Sequence, residues 1–395
     1  MMTDSGALGR PTWVEVNLDC IASNVNLAKT IVGDRTRIMA VVKADAYGHG
    51  AVQTAQTALR HGASYLSVAL VEEGVALREA GIRAPILVMG TSAAGLACDI
   101  VKHDLTATVV SYQSAVALSD AAIKHGRQVK VHVKVDTGMS RLGQPPEEAL
   151  KLTRQIVNLP GVKVEGLYTH FPCADTDMQM TCRQLKEFRG LVLRARTEGV
   201  DVALCHAANS AALIRMPGAR LDMVRLGIAM YGLSPLGTVP LGPEWKPALS
   251  FHTRVSFVKK VREGTCVGYG SRYITETDAL IATLPVGYAD GYSRSLSNKG
   301  EVLIQGRRYP VAGNICMDQL MIVGRSDDAI EVGDEAILIG SQNGDAIHAE
   351  DLARMAGTIA YETVCTIGKR VPRLYNGDAA HRCLNKVHDL PTYCV

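Results

Sequence analysis

Short apolar runs rich in β-branched residues alternate with helix-like stretches through the first part of the chain. Eight runs have this pattern, and each predicts a strand. They are residues 37–43, 65–69, 85–89, 106–110, 129–135, 163–169, 202–206 and 223–226. The stretches 51–61, 114–125, 146–158 and 178–199 have apolar residues three and four positions apart, which predicts helices. Eight strand–helix units favour an α/β fold of the (β/α)8 barrel type over an open sheet.

The pattern changes near Leu249, where apolar and polar residues alternate and Gly, Asn and Asp mark frequent turns. Residues 250–261, 279–286, 301–312 and 335–340 are the predicted strands of a second, mostly β domain. Residues 235–247 are rich in proline and glycine, which predicts a linker. We therefore expect a barrel domain over residues 1–247, a β domain over 248–378 and a polar tail over 379–395.

Composition narrows the class of protein. Of 395 residues 47% are hydrophobic and 21% are charged, with a net charge of +3, as in an ordinary globular enzyme. No basic block suggests a nucleic-acid partner, no apolar run is long enough for a membrane span, and residues 1–11 do not resemble a targeting signal. The ten cysteines have no paired spacing, so we expect reduced thiols in a cytoplasmic protein and no metal site.

Ionisable and small residues collect where the predicted barrel strands end. Because the C-terminal ends of barrel strands share one pocket, these side chains are candidates for a common site that binds a polar, anionic ligand. They are Lys43, Lys134, Asp136, His170, His206, Asn209, Ser210, Arg225 and Gly227.

Lys43 is the leading candidate for covalent chemistry. A lysine that leaves a buried strand can be held as the neutral amine that forms a Schiff base with a carbonyl cofactor. A single lysine at a strand end more often extends into solvent. The neighbouring Tyr47, Gly48 and Gly50, which suit phosphate contact and close backbone approach, favour the functional interpretation.

The segment around Lys43 resembles the lysine motif of alanine racemases, which have a (β/α)8 barrel followed by a β domain. Further resemblances follow in the family's order and cover the chain from about Val14 to Arg373. The matching segments are residues 41–50, 134–143, 168–171, 225–232, 267–270, 287–291 and 316–318.

The resemblance implies that Lys43 carries pyridoxal 5'-phosphate and that Arg225 faces the pyridine nitrogen, with His170 behind it. Because a guanidinium cannot hand over its proton, the ring nitrogen would stay unprotonated, which suits racemisation. Alternatively, His170 is a buried neutral histidine with no catalytic role. The remaining cofactor contacts implied are Tyr47, Asn209, Ser210, Gly227, Ile228 and Tyr361.

Racemisation needs one acid/base group on each face of the substrate Cα. The family resemblance assigns these roles to Lys43 and to Tyr269 of a partner subunit, which implies a homodimer with shared sites. It also implies that Arg141 contacts the substrate carboxylate or the phenolic oxygen of the cofactor, and that the Met317 backbone N–H binds the substrate carboxylate. Lys134 matches a lysine that is often carbamylated in the family. The implied entrance is narrow and favours alanine. It is lined by Asp175, Tyr288, Arg294 and Tyr361.

Three positions depart from the family pattern: Pro172, Asn314 and the pair 368–369. Pro172 affects the loop that bears Asp175, so a serine or broad-specificity racemase remains an alternative. A pyridoxal-phosphate carrier shares the barrel but lacks a β domain, and the basic amino-acid decarboxylases need a Gly-rich phosphate loop that we do not find. The resemblance further implies supply of D-alanine as a peptidoglycan precursor.

Overall fold

The computed structural model describes residues 10–237 and 239–377, which form two compact units. The barrel unit comprises residues 20–46 and 50–246. The β unit comprises residues 10–19, 47–49 and 247–377. The predicted tail over 379–395 lies outside the described residues.

The eight predicted strands of the barrel are confirmed. They form one parallel sheet in the order β8-β7-β6-β5-β4-β3-β2-β9, so that β2 pairs with both β3 and the last strand β9. Strand β1 (Thr12–Asn17) precedes them, and the barrel strands are β2 (Arg37–Val41), β3 (Tyr65–Val68), β4 (Ile86–Val88), β5 (Thr106–Val109), β6 (Val129–Lys134), β7 (Val162–Tyr168), β8 (Leu204–His206) and β9 (Met223–Leu226).

The four helices predicted from the spacing of apolar residues, 51–61, 114–125, 146–158 and 178–199, are confirmed, and further helices lie between the other barrel strands. Ser111 and Asp177 accept N–H bonds at the starts of two of these helices and so define where they begin. The helices are α1 (Leu18–Val32), α3 (Ala51–Arg60), α4 (Val71–Glu79), α5 (Ala97–Lys102), α6 (Tyr112–Lys124), α7 (Pro146–Ile156), α8 (Met178–Thr197) and α9 (Ser210–Arg215), and α2 (Lys43–Tyr47) is a short left-handed turn.

The β unit contains a seven-stranded sheet, in which β1 lies between β10 and β20, and two smaller sheets. Leu352 and Val364, on its two helices, are buried in its core. Its later elements are β10 (Leu249–Arg254), β11 (Phe257–Val261), β12 (Cys266–Val267), β13 (Tyr273–Ile274), β14 (Ala279–Leu284), β15 (Glu301–Ile304), β16 (Arg307–Pro310), β17 (Leu320–Arg325), β18 (Glu335–Gln342), β19 (Asp345–Ile347), α10 (Ala349–Ala356), α11 (Ala360–Cys365) and β20 (Arg373–Asn376).

Two predicted β segments are each divided in the structure. Residues 250–261 form β10 in the large sheet and β11 in the three-stranded sheet, because β10 pairs with β1 and β11 pairs with β14. Residues 301–312 form the hairpin β15–β16, whose turn passes through Gln305 and Gly306 with φ of 53° and 80°.

The first strand belongs to a different unit from the one predicted. Residues 10–19 group with the β unit, although the sequence placed them in the barrel domain. The reason is pairing: β1 is antiparallel to β10 and parallel to β20. Among the described residues, no helix has the length and apolar character to cross a membrane.

Candidate active site

Lys43 follows the buried end of β2 and opens a left-handed turn. Residues 44–47 all have φ between 51° and 54°, a region that L residues avoid at a cost of about 1–2 kcal/mol each. The Ala44 N–H donates to Glu73 Oε1 at 2.6 Å and helps to hold the turn. Strained backbone of this kind is found mainly at functional sites, where it fixes a side chain in place.

Arg225, at the C-terminal end of β9, is 2% exposed and is held by hydrogen-bond acceptors. Its Nη2 donates to the carbonyls of Thr169 at 2.8 Å and Ala207 at 2.6 Å and lies 3.3 Å from His170 Nδ1, while Nη1 lies 2.8 Å from His206 Nδ1. Burial lowers the pKa of Arg225 to about 10, so the guanidinium remains protonated at neutral pH. It is a fixed cation in the barrel.

The electrostatic environment of His170 shows which of the predicted site residues lie near one another in the barrel. Burial lowers its pKa well below the ordinary value, and the charges of Arg225, Arg141, Lys134 and Lys43 lower it further. The imidazole is therefore neutral at physiological pH. Charged residues that lie up to 182 positions apart in the chain are thus near enough to His170 to lower its pKa, and Arg225 contacts it at 3.3 Å.

Lys134 is buried beside this group at 4% exposure. Its Nζ donates to the Val135 carbonyl at 2.6 Å and lies 5.5 Å from the centroid of the Tyr168 ring. Burial and the charge of Arg225 lower the pKa of Lys134 to about 8. A measurable fraction of the side chain is therefore the neutral amine at pH 7 to 8.

The loop after β6 presents Arg141. Asp136 Oδ1 accepts the backbone N–H groups of Gly138 and Met139 at 2.9 Å and of Ser140 at 3.1 Å. Although burial opposes ionisation, these N–H groups lower the pKa of Asp136. The carboxylate thus fixes the loop while the Arg141 side chain stays exposed.

Ser210 and the loop after β9, both predicted to bind a phosphate, are hydrogen-bonded to each other. The buried Ser210 Oγ accepts the N–H of Gly227 at 2.9 Å and lies 3.4 Å from the Ala229 nitrogen, at the start of the single 3₁₀ turn Ile228–Tyr231. A hydroxyl and N–H groups at a helix start are the donors that a phosphate requires. The predicted contacts Ser210, Gly227 and Ile228 therefore lie together.

Asn209 and Asp175 form hydrogen bonds within the protein that differ from the roles predicted for them. Asn209 Oδ1 caps α9 by accepting from the Ala212 N–H at 3.0 Å, and its Nδ2 donates to the Phe171 carbonyl at 3.2 Å. The Asp175 carbonyl accepts from Arg215 at 2.5 Å. Both contacts are structural, so direct roles for Asn209 in cofactor binding and Asp175 at an entrance stay predictions.

Tyr269 lies in the β unit on a loop shaped by two glycines in left-handed conformations, Gly268 at φ 74° and Gly270 at φ 72°. Asn314 Nδ2 donates to the Tyr269 carbonyl at 2.7 Å and fixes the loop backbone. The Tyr269 side chain is 75% exposed. A large phenol held outward in this way is available for contact with a ligand or another chain.

The Tyr288 and Met317 loops are packed together in the β unit. The Tyr288 N–H donates to the Cys316 carbonyl at 3.0 Å, and a Cβ at Gly287 would lie 2.4 Å from the Met317 oxygen. Only glycine fits there. Arg294 begins the single 3₁₀ turn Arg294–Leu296 on the same connection between β14 and β15 as Tyr288, whereas Met317 lies between β16 and β17.

Tyr47 and Tyr361, both predicted phosphate contacts, pack in the β unit with ring centroids 6.1 Å apart. Burial raises the pKa of Tyr47 far above neutrality, and the nearby Tyr361 raises it further. Tyr47 is therefore a neutral hydrogen-bond donor. Gly48 beside it has φ of 79°, and a Cβ there would lie 2.4 Å from the Val364 oxygen.

Several buried residues that form hydrogen bonds or ion pairs in the two units were not predicted from the sequence. His132 and Glu165 lie in mid-strand on β6 and β7, and Asp290 is fully buried between two arginines, Arg10 and Arg370. One signal was present: Lys130, His132 and Lys134 alternate with valines along β6, which puts polar groups on one face of a buried strand.

A parallel barrel with a strand-end lysine, a fixed buried guanidinium and a serine bonded to the loop after the last strand is the arrangement of a pyridoxal-phosphate-type enzyme of the (β/α)8 class. The N-terminal domain model of alanine racemase matches residues 16–235, and the C-terminal domain model of alanine racemase matches residues 248–375. The chain belongs to the alanine racemase family, whose members are pyridoxal-phosphate-dependent isomerases.

Individual relatives agree. The chain is 45% identical over 367 residues to alanine racemase of Halothermothrix orenii, covering 93% of this chain and 97% of that one. It is similar in structure to alanine racemase of Clostridium difficile 630, with a TM-score of 0.88, 38% identity and coverage of 93% and 96%. An alanine racemase from Bacillus anthracis with bound L-Ala-P also gives a TM-score of 0.88 at 38% identity, with 94% and 96% covered.

Proposed function

We propose that this protein interconverts L- and D-alanine by a two-base mechanism, with Lys43 on one face of the substrate and Tyr269 of a partner subunit on the other. The observation that carries the proposal is Arg225, a cation held by the Thr169 and Ala207 carbonyls and by the ring nitrogens of His206 and His170. Because a guanidinium stays protonated, it donates to a pyridine nitrogen without protonating it. That favours return of a proton to the substrate Cα over competing reactions.

Bound pyridoxal phosphate supplies an electron sink that lowers the energy of negative charge at the substrate Cα. Lys43 would hold it covalently, and Ser210, Gly227 and Ile228 would bind its phosphate. Tyr47 and Tyr361 would add phenolic O–H donors to the same phosphate. The donor set fits the group, because an amine, N–H groups and neutral hydroxyls match an aldehyde and a phosphate dianion.

This arrangement requires a homodimer, which is part of the proposal and is supported by the exposed side chains of the β unit. The β unit exposes 75% of Tyr269, 54% of Met317 and 42% of Tyr288. Large side chains exposed on neighbouring loops are typical of interaction surfaces. We propose that they complete the partner's site, where Tyr269 would exchange a proton with the substrate Cα and the Met317 N–H would bind the substrate carboxylate.

We further propose that Lys134 is carbamylated. The ammonium first releases one proton to solvent. The neutral amine then attacks CO2, an N–C bond forms as one C=O π bond opens to a carboxylate, and the nitrogen releases a second proton, so that the cation is converted into an anion with loss of two protons. The lowered pKa of Lys134, about 8 because of burial and Arg225, supplies the reactive amine. The product would pair with Arg141, whose guanidinium would then face the substrate carboxylate.

The entrance residues proposed are Asp175, Tyr288, Arg294 and Tyr361, and their bulk favours a small side chain. This supports alanine over serine, which stays the second candidate because Pro172 and Asn314 depart from the family pattern. A cytoplasmic role in supplying D-alanine for peptidoglycan is part of the same proposal.

The test compares wild type with Lys43→Ala and Tyr269→Phe, with L- and D-alanine each supplied as substrate and Cα-hydrogen exchange followed in D2O. Lys43→Ala should lose the absorbance band of covalently held cofactor and all turnover. Tyr269→Phe should keep the band, lose about 100- to 10,000-fold in turnover, and still exchange the Cα hydrogen of one enantiomer but not the other. Tyr112→Phe removes a hydroxyl from a 42% exposed tyrosine on α6 and is the matched control.

Equal loss of exchange for both enantiomers in Tyr269→Phe would exclude one base on each face. Higher kcat/KM for serine, lysine or arginine than for alanine would exclude the substrate assignment. Amine products would indicate a decarboxylase, and bound cofactor without turnover would indicate a carrier protein.

A further inference from the structure

The interior of the barrel contains a line of polar side chains behind Arg225. His132 on β6 and His206 on β8 are both fully buried, and Glu165 on β7 has a side chain that is 13% exposed. Buried polar groups of this kind are costly unless each is hydrogen-bonded. Here each is bonded to the next.

The contacts form one continuous path. Arg225 Nη1 lies 2.8 Å from His206 Nδ1, His206 Nε2 lies 2.9 Å from His132 Nδ1, and His132 Nε2 lies 3.2 Å from Glu165 Oε2. The carboxylate also accepts the hydroxyl of Tyr65 at 2.8 Å and pairs with Lys130 at 3.0 Å. The path thus connects the C-terminal end of the barrel, where Arg225 lies, with the middle of β7.

The direction of every hydrogen bond follows from Arg225, which can only donate. His206 Nδ1 must therefore accept, so its proton is on Nε2. That proton is donated to His132 Nδ1, which leaves the His132 proton on Nε2 for the Glu165 carboxylate. Both rings are fixed as neutral Nε2–H tautomers, and the path ends on an acceptor that bears a full charge.

The charges agree with this direction. Burial lowers the pKa of His132 and lowers that of His206 well below the usual range, so both rings stay neutral. Burial opposes ionisation of Glu165, but hydrogen bonds from His132, Lys130 and Tyr65 lower its pKa to about 2. A cation and an anion are thus joined through two neutral, polarised imidazoles.

Packing holds the two rings at fixed angles. The His206 ring stacks on Tyr168 with centroids 4.8 Å apart and planes 1° from parallel. The His132 ring lies on Gly166, where an added Cβ would be 2.9 Å from three of its ring atoms. Gly166 is therefore needed for the His132 position.

We propose that Glu165, His132 and His206 are positioning residues that set the orientation and polarity of Arg225 through this hydrogen-bonded path. The carboxylate orients His132, His132 orients His206, and His206 holds one end of the guanidinium. The effect on turnover rests on the proposed contact of Arg225 with the cofactor, whereas the tautomers of the two histidines do not.

The experiment uses holoenzyme labelled with 15N-histidine, in wild type, Glu165→Gln, Glu165→Leu and Gly166→Ala. Wild-type His132 and His206, assigned by single replacement, should both show protonated Nε2 and unprotonated Nδ1. Glu165→Gln keeps an acceptor, so the tautomers should persist while kcat falls about tenfold. Glu165→Leu and Gly166→Ala should change the His132 signals and lower kcat at least as much, with KM for alanine nearly unchanged.

Lys163→Gln alters an exposed charge two residues before Glu165 on the same strand and is the matched control. Protonated Nδ1 on wild-type His206 would overturn the proposal, because that ring could not accept from Arg225. Unchanged signals and unchanged kcat in Glu165→Gln and Gly166→Ala would also overturn it. If Glu165→Leu fails to fold, the wild-type tautomers and the other two variants still decide. A racemase test that fails while the tautomers are as stated would reject the proposed reaction and leave the path intact.

Discussion

Lys134→Met should stabilise the folded protein in CO2-depleted buffer. Burial and the charge of Arg225 lower the pKa of Lys134 from 10.5 to about 8. This decrease in pKa corresponds to a cost of about 3 kcal/mol in folding free energy for burying the charged lysine at pH 7. Methionine removes this cost but also the bond from Nζ to the Val135 carbonyl, worth about 1 kcal/mol. We expect a net gain of about 2 kcal/mol in the free energy of unfolding.

The pH dependence has a definite sign. Below pH 8 the lysine is protonated in both folded and unfolded chains, so the cost is present in full. Between pH 8 and 10.5 the folded protein releases the proton while the unfolded chain keeps it, so wild type gains stability relative to Lys134→Met as pH rises. Bicarbonate should stabilise wild type in the same way through carbamylation and leave the variant unchanged.

Equilibrium unfolding in urea, followed by fluorescence at pH 7 and pH 9.5 with and without bicarbonate, measures these differences. Lys163→Met, which replaces an exposed lysine on β7, is the control and should stay near wild type. A Lys134→Met protein less stable than wild type at pH 7, or a difference that does not shrink at pH 9.5, would refute the reasoning.

Three further outcomes are expected. Asn314→Ala removes the bond to the Tyr269 carbonyl and should lower kcat about threefold to tenfold without loss of cofactor absorbance; unchanged kcat would show that the loop needs no such support. Asp290→Asn should cost about 2 kcal/mol in urea unfolding, because it removes the charge of a buried carboxylate that is hydrogen-bonded to two partly exposed arginines. Burial opposes ionisation of Asp290, but the bonds from Arg10, Arg370 and the Gly287 N–H lower its pKa, so its stabilisation should be lost only as pH falls below 3.8. Retention there of the full difference from the variant would contradict this. Gly48→Ala should destabilise by about 2 kcal/mol, because its Cβ would meet the Val364 oxygen.

The local sequence pattern was sufficient to predict the barrel strands and the site residues at their C-terminal ends. Most strands from β2 to β9 are short apolar runs, because a strand buried on both faces needs apolar residues in succession. Strand β6 instead alternates valines with Lys130, His132 and Lys134. Lys43, His170 and Arg225 were predictable because strand ends in a barrel converge. Tyr269 and Met317 could be named only through the family resemblance.

Tertiary structure decided what depends on partners distant in the chain. Residues 250–261 read as one strand, yet β10 and β11 pair with different sheets, and the pairing of β1 with β10 and β20 is invisible locally. The path from Arg225 to Glu165 joins residues 60 positions apart. Periodicity tells which face of a strand is buried, but only closure of the barrel determines which buried polar groups meet.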